Sequence, residues 1–264
     1  DGGGISAVDS SITLTGSWIV GNQATDGDGG GMEILNPSAF LMTGGRVSSN
    51  RAVHDAGGMY IGSTPVGVAV RLVGVQMTGN RAGFDKTGTG VPPSGFGVLW
   101  DGGAISIHSG SVEVTGGSKL TNNRSFSGSG GAIDAIDSTV TVGRSLFDKN
   151  AAGYAGGAIR LTRGTLQLSG SATFRRNTSV EEGGAIATKG ATVISQSLGS
   201  KVTLDSNRAG ENGGGLYIDY SSQPVDLFGL TVRNNQSGEA GGGVYVSTSG
   251  SATLRDSSFQ RNKS

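Results

Sequence analysis

Nine times along the chain two small residues, nearly always glycine, stand just before an apolar residue. Gly-Gly-Ala-Ile occurs at 102–105, 130–133, 156–159 and 183–186. Relaxed versions stand at 2–5, 29–32, 56–59, 213–216 and 241–244. The closing apolar residues are Ile5, Met32, Met59, Ile105, Ile133, Ile159, Ile186, Leu216 and Val244. Seven of their eight intervals are 26 to 30 residues, and the interval from 59 to 105 is 46. Paired glycines cost conformational entropy and provide no side chain to pack. Retained at a fixed period, they mark a repeat architecture in which each unit is completed by its neighbours.

A second signal runs in phase with the first. An apolar residue stands three positions before an asparagine, literally as Phe147/Asn150, Phe174/Asn177 and Phe259/Asn262. Ile19/Asn22, Val47/Asn50, Met77/Asn80, Leu120/Asn123, Leu204/Asn207 and Val232/Asn235 follow the same spacing. Between the signals lie short alternating stretches such as Val112-Glu113-Val114 and Leu166-Gln167-Leu168. Period-two alternation rich in Val, Ile, Thr and Ser argues for strands. Helical repeats need a 3.6 period, and leucine-rich repeats need a leucine framework that is missing.

A repeat of this length with three short strands is one coil of a three-sided parallel β-helix. The fold expected is all-β: a right-handed solenoid of nine coils over a single domain, 1–264, since parallel crossovers are right-handed. At about 4.8 Å per coil the rod is about 43 Å long. In each first strand the residues flanking the outward one point inward, so Ile159 and Leu161 are core while Arg160 faces out. The second glycines, Gly103, Gly131, Gly157, Gly184, Gly214 and Gly242, turn the chain where a Cβ meets the next coil. The nine asparagines are expected to stack as a hydrogen-bonded ladder, as amides do in cross-β stacks. Four of them, Asn123, Asn177, Asn235 and Asn262, also fall in glycosylation sequons, which the ladder explains better.

Together, Gly-Gly-Ala-Ile and Phe-x-x-Asn resemble the repeats of polymorphic outer membrane proteins, over nearly the whole chain. That resemblance implies a right-handed β-helix passenger of the autotransporter type, exported to a bacterial surface and engaged in adhesion. Its expected partners are host or matrix glycans or surface proteins.

Composition narrows the class without choosing a compartment. Glycine makes up 50 of 264 residues and cysteine is absent, so neither disulfides nor thiol chemistry is available. Lys plus Arg balances Asp plus Glu at 20 each, which gives no electrostatic ground for nucleic acid. No apolar run reaches transmembrane length. With two histidines no zinc site is expected, and no cofactor is implied. Asp26-Gly27-Asp28-Gly29 is only a fragment of a calcium loop.

The long interval is expected to hold a loop inserted over 81–99, with Trp100 at its base, and a smaller excursion is expected over 221–229. The outward first-strand positions offer a ligand-facing stripe: Glu33, Tyr60, His108, Asp134, Arg160, Lys189, Tyr217, Asp219 and Tyr245. A solvated structural face, a glycan-binding face and an active site of the pectin-lyase type are the three readings of this stripe. The first takes opposite charges on adjacent strands as ordinary cross-strand pairs. The last needs acids and bases brought together. The chain is therefore expected to be a non-catalytic structural or adhesive rod outside the cell and part of a longer protein. A carbohydrate-active enzyme and a fibre subunit associating end to end are the competing classes.

Overall fold

The computed structural model describes residues 2–84, 101–221, 223–247 and 252–264. It is an all-β parallel solenoid, and among the described residues no helix is long and apolar enough to cross a membrane. Each coil carries three strands. In the fourth coil they are Ile105–His108, Ser111–Thr115 and Lys119–Thr121, followed by the two-residue strand Arg124–Ser125. The short fourth element was not expected. Seven copies of it stack into a sheet of their own.

Every strand pairing among the described residues is parallel, and the register is kept except for one shift where Ile159–Arg175 pairs with Ile186–Asp205, between Ser169 and Ser171. On the first face Ile5, Met32, Met59, Ile105, Ile133, Ile159, Ile186, Leu216 and Val244 stand one above another. These are the nine residues that close the glycine signals, so nine first strands are joined by eight turns. In three coils the chain keeps its pairing through the corners, giving the long strands Ile133–Gly143, Ile159–Arg175 and Ile186–Asp205.

Three inward ladders fill the interior. The third-face ladder includes Val47, Met77, Leu120, Phe147, Phe174 and Leu204, all essentially without solvent exposure. Phe147 and Phe174 stack at 4.7 Å with their rings 16° apart. Each buried side chain of this size contributes about 1.5–3 kcal/mol, and every coil repeats the contribution.

The two glycines of each corner meet two different constraints. The first has positive φ, for example 68° at Gly156, a region disfavoured for residues with a Cβ. The second, Gly157, has no such φ, but a Cβ there would run into the Gly184 carbonyl oxygen of the next coil. In the third coil Ala56 occupies the first-glycine position at φ 56°.

The asparagine ladder is continuous from the first coil to the last. Asn22 opens it, its backbone N–H and its Nδ2 both donating to Asn50 Oδ1, at 2.9 and 3.0 Å. Asn50 Nδ2 donates to Asn80 Oδ1, and Asn80 Nδ2 to Asn123 Oδ1, each at 3.0 Å. In the middle Asn150 Oδ1 accepts from both the backbone N–H and the Nδ2 of Asn123, each at 3.0 Å. Asn150 Nδ2 donates to Asn177 Oδ1 at 3.0 Å and to the Leu120 carbonyl at 2.9 Å. Asn177 Nδ2 then donates to Asn207 Oδ1, and Asn207 Nδ2 to Asn235 Oδ1, each at 2.9 Å.

The rungs are not all equally enclosed. Asn50, Asn80 and Asn207 are buried, and the second hydrogen of each Nδ2 goes to the carbonyl of Ile19, Val47 or Phe174. Asn22 is half-buried. Leu120 is the apolar residue three before Asn123. The second signal thus joins a side chain that fills the core to a carbonyl that accepts the next coil's amide. The amides at the four sequons are engaged in the same way.

The excursion expected over 221–229 is a correction: Val225–Phe228 is a strand, in register with Ala252–Arg255. At the inserted loop, Arg81 and Ala82 still pair with Arg124 and Ser125, and Phe84 is buried. The remainder of the expected loop, from 85, and Trp100 lie outside the described residues.

Candidate functional site

The first strands place the predicted stripe in two columns. One holds Glu33, Tyr60, Ser106, Asp134, Arg160, Ala187, Tyr217 and Tyr245 in successive register. The other, two residues further along, contains His108, Lys189 and Asp219. The structure therefore brings the stripe together in two groups.

The first group surrounds Asp134. Arg160 lies beside it, Nη1 to Oδ1 3.7 Å. His108 is not in its register and instead meets Tyr60 edge-on at 5.7 Å. Asp134 was expected on a solvated face, yet it is fully buried, as is its neighbour Ser106. Among the described residues, both Asp134 oxygens and the hydroxyls of Ser106 and Ser129 lack hydrogen-bond partners. A buried carboxylate resists ionisation. Burial first, and then the charge of Asp101, push the Asp134 carboxyl well above the usual carboxylate range.

Beside it runs a ladder that sequence reasoning missed. Asp28 Oδ1 accepts the Asp55 N–H at 2.9 Å, and Asp55 Oδ1 accepts the Asp101 N–H at 2.7 Å. Asp101 Oδ1 accepts the Ser129 N–H in turn. Each of these residues directly precedes a glycine-pair position. Burial, opposed by the Asp101 N–H and reinforced by the charges of Asp101 and Asp28, pushes Asp55 up to about 7. Asp101 is raised too, by burial, with Arg160 and His108 opposing. The signal available in sequence was the residue before each pair, but it reads Asp1, Asp28, Asp55, Asp101, Ser129, Ala155, Glu182, Asn212 and Ala240, with no chemistry common to all nine.

The second group forms a cleft of about 400 Å³, mouth included, lined by Tyr154, Arg160, Glu182, Lys189, Tyr217 and Asp219 among others. Burial and the adjacent Asp219 charge hold the Tyr217 phenol well above its ordinary value. Tyr217 and Tyr245 lie face to face at 5.3 Å and 7°, so each covers one face of the other. Glu181, Glu182 and Glu211 adjoin the cleft with carboxylate oxygens within 4.8 Å of one another. Burial, and then the Glu181 charge, raise Glu182. Oxygen ligands of this kind suit a hard cation.

Chemically the two groups differ. The Asp134 group can hold protons inside the wall of the rod, but both carboxylate oxygens are out of solvent, so no polymer in the cleft reaches them. The cleft itself offers cations, a phenol and carboxylates to a polar ligand.

A family model described as a right-handed beta helix region matches residues 102–264. No curated protein matches the chain. No solved structure matches it either.

Proposed function

Because the chain belongs to the right-handed β-helix family, we propose that it works as a non-catalytic rod on or outside the cell surface, a passenger of the polymorphic-outer-membrane-protein type. On this reading it presents its first face to glycans. The observation that carries the proposal is the unbroken asparagine ladder at the corner that follows the third strand of each coil. It binds coil to coil inside the wall and gives a stiff support to which a ligand-facing cleft is fixed.

Arg160, Lys189 and Tyr217 are the ligand-facing groups of the cleft on this reading. Face-to-face packing of Tyr217 on Tyr245 covers one face of each ring, which favours hydrogen bonding to sugar hydroxyls over stacking on a sugar face.

The competing reading is a carbohydrate-active enzyme, favoured by the raised carboxyls of Asp55, Asp101 and Asp134, since general acids are tuned this way. Enclosure of both Asp134 oxygens weighs against it. A glycan array read for binding and for breakdown of each bound sugar separates the two. Binding without breakdown, lost on Lys189→Ala and Tyr217→Ala, is the expected result. Breakdown abolished by Asp134→Asn would make the protein an enzyme.

A further inference from the structure

Arg51, Arg81 and Arg124 occupy the same position of three successive coils, in direct register in the short fourth sheet. All three are exposed. Identical charges on neighbouring strands repel one another. Elsewhere the rod sets arginine against a carboxylate one coil away: Arg71 with Glu113 at 2.9 Å, Arg163 with Asp137 at 2.6 Å, Arg176 with Asp148 at 2.6 Å, Arg233 with Asp205 at 2.9 Å. Their backbone N–H groups donate along the fourth sheet, but among the described residues their guanidinium groups have no carboxylate partner and donate no hydrogen bond.

They are held by aromatic rings instead. The Arg51 and Arg81 guanidinium carbons lie 5.1 and 5.9 Å from the Phe84 centroid, and that of Arg124 lies 4.3 Å from Phe126. The two rings meet edge to face at 4.8 Å. Cation–π contact within about 6 Å fixes a guanidinium by its face and leaves the N–H groups along its edge free. An open groove of about 850 Å³, mouth included, runs between Arg81, Arg124 and the exposed Lys149 over these rings.

We propose that this column is a binding site for a linear sulfated polysaccharide lying along the rod axis. Neighbouring arginines are one strand spacing apart, about 4.8 Å. Two guanidinium groups at that distance can donate to one tetrahedral sulfate from either side, whereas a planar carboxylate is matched by a single arginine fork. Repetition over three coils suits a polymer with repeated charges. The ring faces are covered by the guanidinium groups and Phe84 is buried, so no platform is left for a nucleobase. The charge strip is one arginine wide on a chain of zero net charge, too narrow for the broad field that nucleic acid rewards. The site lies apart from the first-face cleft and does not depend on it.

Fluorescence anisotropy with labelled dextran sulfate tests the site on the purified chain. Binding that weakens with added salt is expected, and Arg81→Gln/Arg124→Gln should reduce affinity at least about tenfold. Lys149→Gln, exposed and neutral to the fold, should reduce it about threefold. Arg163→Gln/Arg233→Gln on the other sheets and Lys189→Ala in the cleft should change it less than about twofold. Unsulfated dextran, alginate, poly(dT) and sodium sulfate should each compete at least about tenfold less well. Absence of binding, binding unchanged in both the arginine double variant and Lys149→Gln, or equal competition by alginate, poly(dT) or inorganic sulfate would overturn the proposal.

Discussion

At the scale of single residues the rod stores backbone strain at a regular address. The residue just before each ladder asparagine is left-handed: Gly21, Ser49, Gly79, Asn122, Lys149, Arg176, Ser206, Asn234 and Arg261 all have φ between 45° and 75°. The need for a sharp corner that aims the next amide inward selects the conformation, and glycine fills it only twice. These residue types share no chemistry, which is why the strained position was invisible in sequence while the asparagine beside it stood out. Ala56 is the parallel case at the glycine corner. Ala56→Gly should stabilise the protein by about 1 kcal/mol, because it relieves a left-handed alanine. A rise in the urea midpoint with unchanged slope checks this, and a fall would mean that the buried methyl contributes more than the strain costs.

The repeating element is the coil, and its decisive contact is the asparagine rung. The ladder is legible in the amino-acid sequence because it rests on one residue type at one offset, and because only an amide both accepts and donates twice. What the spacing does not carry is enclosure: Asn50, Asn80 and Asn207 are buried between coils. The acid ladder is not legible in the same way, since its backbone N–H donors accept any small acceptor and the chain varies that residue freely. Solvation of the stripe was misjudged for a related reason. Strand alternation says which way Asp134 points, not how deeply the neighbouring coils enclose it, and the structure leaves both Asp134 and its register neighbour Ser106 without solvent exposure. Replacing Asn150 by Ala removes the partners of the Asn123 N–H and Nδ2 and of the Leu120 carbonyl. Each buried polar group left unpaired costs about 1–3 kcal/mol, so Asn150→Ala should destabilise the chain by at least about 3 kcal/mol. Chemical denaturation checks it; a loss below about 1 kcal/mol would mean that water replaces the rung.

For the whole molecule, the acid ladder gives the rod an unusual response to pH. Asp55 holds its proton up to about pH 7 when folded, against 3.8 ordinarily. Between these values the folded chain binds more protons than the unfolded one, so stability falls as pH rises. The contribution is complete below about pH 4 and gone above about pH 7, and amounts to at most about 4 kcal/mol. Exposed pairs such as Arg163 with Asp137 act in the opposite direction but weakly. Urea titrations at pH 4.5 and 7.5 should show Asp55→Asn gaining stability over the parent at the higher pH and losing that gain at the lower. An identical difference at both pH values would show that Asp55 does not titrate in this range. The architecture was legible because the same spacing recurs in every coil, whereas the ladder that sets this response occupies only the first few coils.

The asparagine rungs and the strand hydrogen bonds all run along the rod axis. A tension applied to the two ends therefore loads the coils in series, one rung after another, and not all at once. A coil such as that from Asn123 to Asn150 gives up one rung of the ladder and pays out roughly 90 Å of chain at full extension. The stiffness that supports a ligand face along the wall is thus also a stock of slack, released in equal lengths under load.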